Sequence, residues 1–171
     1  MSKILLLLTI LTLNLFAISL DKVPNNITIE GDNGGYAEDG SSWNSSTIKD
    51  KVYVMFYVDP DERTTNEHFS QMLKAKKYDK RNSGSIAIIN MAATWKPNII
   101  IEKLLKSKQK EFPDTIYIKD KKSVLVNNWG LDDDASNILI FSKDSKLLFY
   151  KSGKMSNKDM KKAFKLIEEN L

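Results

Sequence analysis

The side chains able to carry chemistry in this sequence of 171 residues are carboxylates, hydroxyls, the basic groups of lysine and arginine, and one imidazole. Cysteine is absent, so disulfides, thiolate metal ligands and thiolate nucleophiles are excluded. His68 is the single histidine. Without a second imidazole or a thiol it has only carboxylate partners for a metal, and it reads as a helix-surface residue. The serines form no G-x-S-x-G elbow, and neither a Walker loop nor a G-x-G-x-x-G opens a helix. Two acidic clusters remain: Asp59, Asp61 and Glu62, and the run Asp132, Asp133 and Asp134. Taken singly, each has a plain reading. Asp61 and Glu62 complement a helix N-terminus, and three consecutive aspartates make a solvated loop. Taken together, converging carboxylates repel one another unless a cation or a basic partner joins them. Calcium suits such a set, because it accepts many oxygen ligands in loose geometry.

The surrounding pattern says how the clusters are placed. Val52 to Val58 is β-rich and apolar throughout, which predicts a central strand buried on both faces and ended by Asp59-Pro60. Thr64 and Glu67 read as a capping box opening a helix, with Phe69, Met72 and Leu73 turned inward. Ser85 to Met91 reads as a second buried strand. A lysine-rich helix follows the Trp95-Lys96-Pro97 loop, with Ile101, Leu104, Leu105 and Phe112 inward and Pro113 as its stop. Thr115 to Ile118 is a short strand. Ser123 to Trp129 is a short helix closed by Gly130. Asn137 to Phe141 and Lys146 to Tyr150 flank a tight turn as a hairpin. Ser156 and Asp159 cap a last helix whose inner face is Met160, Ala163, Phe164 and Ile167. Before all this, residues 20–42 carry turn signals and read as a loose strand and hairpin.

Alternating strands and helices imply parallel strands with crossover helices. The closing hairpin and helix add an antiparallel edge. The expected fold is therefore α/β and thioredoxin-like: a three-layer sandwich, its central mixed sheet flanked by helices, with an N-terminal hairpin extension. In that plan the loop after the first central strand and the loop before the hairpin meet at one end of the sheet, where open α/β sheets bind ligands. The expected ligand-binding set is Asp59, Asp61, Glu62, Thr64, Asp132, Asp133, Asp134 and Ser136.

Composition agrees with one folded domain: 42% apolar and 28% charged residues, with a formal net charge of +4. The lysines are interleaved with acids, as in Glu102-Lys103 and Lys110-Glu111, so no concentrated basic face marks a nucleic-acid reader. The first residues have another pattern. Lys3 precedes an apolar run from Ile4 to Phe16, and Ala17 and Ser19 give a small-x-small site. The run is shorter than the ~20 residues of a spanning helix. Residues 1–19 are read as a signal peptide cleaved after Ser19, with Ala17 as the alternative, and 20–171 as the mature domain.

Several segments together resemble a known group. The Asp39-Gly40 turn, Trp43-Asn44-Ser45-Ser46 and Lys49-Asp50-Lys51-Val52 lead into the central strand as in redoxins. With Ile88-Ile89-Asn90, Phe112-Pro113, Asn128-Trp129-Gly130-Leu131 and the hairpin from Ile138 to Tyr150, the chain is similar to the YtfJ family of periplasmic thioredoxin-like proteins. The resemblance implies a periplasmic address and the thioredoxin-like fold, and it assigns no activity. Against redox relatives the chain departs twice. The two cysteine places are filled by Asp61 and Thr64, or by Thr64 and Glu67, according to register. The place of the cis-proline falls near Ser136, where a cis bond would be costly. Ser145 also replaces the usual hairpin glycine.

The expected function is a periplasmic, non-redox binding or interaction module that takes an unidentified protein or small ligand. It involves no nucleic acid and no stable membrane insertion once the leader is removed. A carboxylate- or divalent-metal-dependent enzyme at the acidic loops is one alternative. A folding accessory gripping peptides through Trp43, Trp95 or Tyr57 is another. No catalytic residue and no cofactor is assigned beyond weak calcium at the acidic rim. The leader reading is checked by intact mass: protein recovered from the periplasm should begin at Leu20 or Ile18, and a full-length membrane-bound product would refute it.

Overall fold

A computed structural model describes residues 18–171. The apolar run of the leader lies outside the described residues. Among those described, no helix is long and apolar enough to cross a membrane.

The architecture rests on β4, Val52–Val58. Its β-branched and aromatic residues suit a pleated strand packed on both sides. β4 pairs in parallel with β5, Ser83–Asn90, and antiparallel with β7, Ser136–Phe141. β6, Thr115–Asp120, runs parallel to β5, and β8, Leu147–Ser152, pairs antiparallel with β7. β2, Gly34–Tyr36, adds an antiparallel edge on β6. The six-stranded order is β2-β6-β5-β4-β7-β8.

One face of this sheet is covered by α3, Val124–Trp129, and the N-terminal extension. The extension pairs β1, Thr28–Ile29, with β3, Trp43–Asn44. It is looser than a local hairpin, because the chain between its strands leaves to form β2. Gly34 suits that close approach: a Cβ there would lie 2.8 Å from the Lys119 carbonyl carbon. Ile29, Trp43, Met55, Ile88 and Trp129 make the core of this side. The other face carries α1, Glu67–Lys76, α2, Asn98–Glu111, and α4, Asn157–Asn170. Against α1 and α4 it packs Val52, Val54, Ile138, Ile140 and Phe149.

Local signals explain most boundaries. Ser156 and Asp159 form the reciprocal capping box of α4, whose Met160, Ala163, Phe164 and Ile167 are all buried. Gly130 closes α3 in the left-handed region at φ 65°. Ser145 adopts the same region at φ 65° in the β7–β8 turn. Its hydroxyl donates to the Ile48 carbonyl at 2.7 Å, which offsets the missing glycine.

Three expectations are corrected. Thr64 and Glu67 form no capping box: α1 begins at Glu67 with Asn66 as its N-cap residue, and no side chain caps it. The Asn66 amide is drawn inward to other segments, and Glu67 turns toward Lys108. Met72 does not face the core and is 45% exposed. β5 is buried on one face only; Ile86, Ile88 and Asn90 are covered, while Ser85, Ala87 and Ile89 are half-buried.

Phe69 and Phe164 hold α1 and α4 together, their ring centroids 5.2 Å apart. Phe69→Ala and Phe164→Ala should each destabilise by about 3–5 kcal/mol. The double variant should lose less than the sum, because the two cavities adjoin. Urea denaturation measures both. Losses below about 1 kcal/mol would remove these rings from the core.

Candidate functional site

The loops after β4 and before β7 meet at one end of the sheet. The Asp59 amide donates to the Ala135 carbonyl at 2.9 Å, which ties them. Asp59 is only 5% exposed. Its carboxylate accepts from the Asp61 amide at 2.8 Å and caps the short 3-10 turn Pro60–Glu62. Burial, and then the nearby charges of Asp134, Glu62 and Asp133, push its pKa up to about 6 against the opposing pull of Lys96. The structure therefore brings Asp59, Glu62, Asp133 and Asp134 into one electrostatic neighbourhood.

Several of the acids already have local work. Glu62 accepts from the Thr65 hydroxyl. Asp133 accepts from the Asn90 amide at 2.6 Å. Asp61 is ion-paired with Lys96 and accepts from the Thr94 hydroxyl at 2.7 Å. Asp134 is exposed, in the left-handed region at φ 38°. Asp132 is exposed, and its carbonyl accepts from Asn137 at 2.9 Å. Thr64 is exposed and contributes its carbonyl to a turn. Among the described residues no group of three or more His, Asp or Glu is placed to hold a metal ion.

Sequence reasoning missed Asn66, which occupies the middle of this end. It is 4% exposed. Its side-chain amide donates to the Ser136 hydroxyl and to the Gly153 carbonyl, each at 3.0 Å, and its oxygen accepts from the Met155 amide at 2.9 Å. Ser136 is thus buried and engaged, and the described residues contain no cis peptide bond. His68, half-buried on α1, donates through Nε2 to the Met155 carbonyl at 3.2 Å. Trp43 and Tyr57 are core residues, whereas Trp95 is 88% exposed.

A second feature begins at the same end and runs beneath the helices. A cavity of about 640 Å³ lies between α1, α2 and the sheet. Parallel pairing sets Val54 beside Ser85, Phe56 beside Ala87 and Val58 beside Ile89, and these six side chains form its floor. Leu73 of α1 and Ile101, Leu104 and Leu105 of α2 form its walls. Small residues on β5 leave the space. The alternation of Ser83, Ser85 and Ala87 with apolar neighbours was its only sequence signal.

The two helices meet over this groove through polar bonds. Lys108 pairs with Glu67 at 2.7 Å and with Glu111 at 2.9 Å. Gln71 donates to the Glu111 carboxylate at 2.5 Å, and Lys74 to its main-chain carbonyl at 2.8 Å. Burial works against the Lys108 ammonium, but its bonds to Glu67 and Glu111 outweigh that and hold its pKa above the ordinary lysine value.

Comparison with known proteins agrees with this architecture. A family model described as "Bacterial protein of unknown function (YtfJ_HI0045)" matches residues 22–170. An uncharacterized protein of Haemophilus influenzae is 26% identical over 128 residues, covering 73% of this chain and 70% of its own. The uncharacterized protein YtfJ of Escherichia coli is 22% identical over 133 residues, covering 76% and 72%. Among solved structures, a thiol-disulfide isomerase from Corynebacterium glutamicum matches with a TM-score of 0.60 at 15% identity, covering 89% of this chain and 98% of its own. A putative thiol:disulfide interchange protein DsbE from Chlorobium tepidum matches with a TM-score of 0.61 at 11% identity, covering 90% and 99%. At such identities the likeness is one of fold, which is thioredoxin-like.

The buried Asp59 makes stability depend on pH. Its folded pKa lies above the unfolded value, so the native state keeps a proton that the unfolded chain has released. Its contribution to stability therefore falls as pH rises from about 4 to about 6. Asp59→Asn, which can still accept from the Asp61 amide, should match the parent near pH 4 and exceed it above pH 6. Urea midpoints across that range measure this. A difference that does not change with pH would refute it.

Proposed function

The chain belongs to the YtfJ_HI0045 family, and from that membership, a thioredoxin-like fold without thiols, and the groove beneath α1 and α2, we propose that it is an exported, non-redox binding module. The groove is the observation that carries this reading. Its volume falls within the roughly 300–1,000 Å³ of small-molecule sites, and its floor and walls are mostly apolar side chains. Thiol–disulfide exchange has no attacking group here, because the chain has no cysteine.

Two observations favour the groove over the acidic rim as the seat of function. Of the rim carboxylates, Asp61 is engaged by Lys96 and Thr94, Asp133 by Asn90 and Glu62 by Thr65. Two of the three aromatics that would grip a peptide, Trp43 and Tyr57, are in the core. Export rests on the leader's composition, with a mature protein in the periplasm. Packing favours the earlier cleavage site. The Ile18 amide donates to the Trp129 carbonyl at 3.1 Å, and its side chain lies against the core, so cleavage after Ala17 keeps a contact that cleavage after Ser19 removes.

The test is a neutral apolar probe. N-phenyl-1-naphthylamine should bind the folded mature protein saturably at one site, read by its fluorescence. Ala87→Leu on the floor and Leu104→Trp on the wall should each weaken that binding by about fivefold or more while the protein stays folded. Absence of saturable binding, or binding indifferent to both substitutions, would overturn the reading.

A further inference from the structure

The groove has two unlike ends, and the parallel strands fix which residues occupy them. β4, β5 and β6 start at the same end of the sheet. At the finishing end the groove is lined by Val58, Pro60, Ile89 and Ile101, and by Arg63, whose guanidinium is turned back to donate to the Pro60 carbonyl at 3.1 Å. At the starting end it is lined by Lys51 before β4, Lys77 after α1 and Lys80 before β5.

Charge at the starting end is not balanced. Lys80 pairs with Asp114 at 2.7 Å, and Asp79 is held by Arg81 at 2.6 Å. Those pairs use both carboxylates. Lys51 donates to the Lys80 main-chain carbonyl at 2.7 Å instead of to an acid. Among the described residues no carboxylate lies within 4.0 Å of the Lys51 or Lys77 ammonium. Lys51 and Lys77 thus stand without a direct ion-pair partner at the mouth of an apolar channel, with Asp79 near enough to Lys51 to feel its charge.

The channel also selects against a peptide. Its floor is a sheet face, and β5 is paired on both sides, with β4 and with β6. A peptide laid there would find no strand edge for its amide and carbonyl groups, and leaving them unpaired in an apolar groove is costly. An alkyl chain has no such groups.

We propose that the groove holds a long-chain carboxylic acid. Its carboxylate sits at Lys51 and Lys77, and its chain runs over Ser85 and Ala87 toward Pro60. This deepens, and rests on, the reading of the groove as a binding site.

The experiment is displacement of N-phenyl-1-naphthylamine from the mature protein by tetradecanoate and by tetradecan-1-ol, which differ only at the head. At low salt the acid should displace the probe about fivefold more tightly than the alcohol, the scale of two exposed charge pairs. High salt should shrink that preference. Lys51→Gln with Lys77→Gln should remove it. Lys103→Gln with Lys106→Gln, on the exposed side of α2, should leave it intact. Equal displacement by acid and alcohol overturns the carboxylate assignment and leaves the groove reading standing. A preference that survives Lys51→Gln with Lys77→Gln overturns the placement of the head group. Failure of the probe and both amphiphiles to bind sinks the groove reading as well.

Discussion

β4 must be taken out of water on both faces, and the rest of the molecule follows from that. It lies between a parallel and an antiparallel partner, so neither edge is free. One face is closed by α3 and the N-terminal extension, whose Trp43 and Trp129 fill large volumes. The other face is closed over β7 and β8 by α1 and α4, through Phe69 and Phe164. Coverage is incomplete where β5 presents serine and alanine to α2, and Phe56 and Val58 of β4 are left half-buried beside them. Packed interiors rarely keep such space without a use, and here the space opens to solvent beside lysines.

Much of this could be read from residue order. Apolar periodicity placed the strands and helices, the Ser156–Asp159 pair began α4, and Gly130 ended α3, since each signal is local and has one physical outcome. The misreadings have a common cause. Thr64 and Glu67 look like a cap until one sees Asn66 pulled inward to Ser136, Gly153 and Met155, residues at least 70 positions away. β2 leaves the extension because the edge of β6 offers unpaired groups, which no local pattern announces. The convergence of Asp59 with Asp133 and Asp134 was legible from the fold plan. The pairing of Asp61 with Lys96 was not, because the Trp95 loop belongs to another crossover. The groove was the least legible feature. It is made by what β5 lacks, and a pattern of apolar residues records presence.

At the end of the sheet where redox relatives keep their thiols, this chain has built a brace. Asn66 and Ser136 meet there by a neutral hydrogen bond, and Asn90 links Asp133 to Ser123. Buried polar groups satisfied on all sides stiffen the chain. Three loops from three crossovers are fixed to one another, and the groove's far end, at Pro60, is anchored to that brace.

The polar bridge between α1 and α2 divides the molecule by lifetime. α4 is held by buried rings and aliphatic side chains, and separating it from the sheet approaches global unfolding. α2 buries fewer side chains, Ile101 and Leu105, and is held to α1 by Lys108, Gln71 and Lys74, whose bonds water can replace at modest cost. Local openings of this kind occur far more often than unfolding. In hydrogen–deuterium exchange the amides of α2 would lose protection before those of α4, and those of β4 and β7 last. α2 can then lift sooner than α4 while the sheet beneath it remains intact.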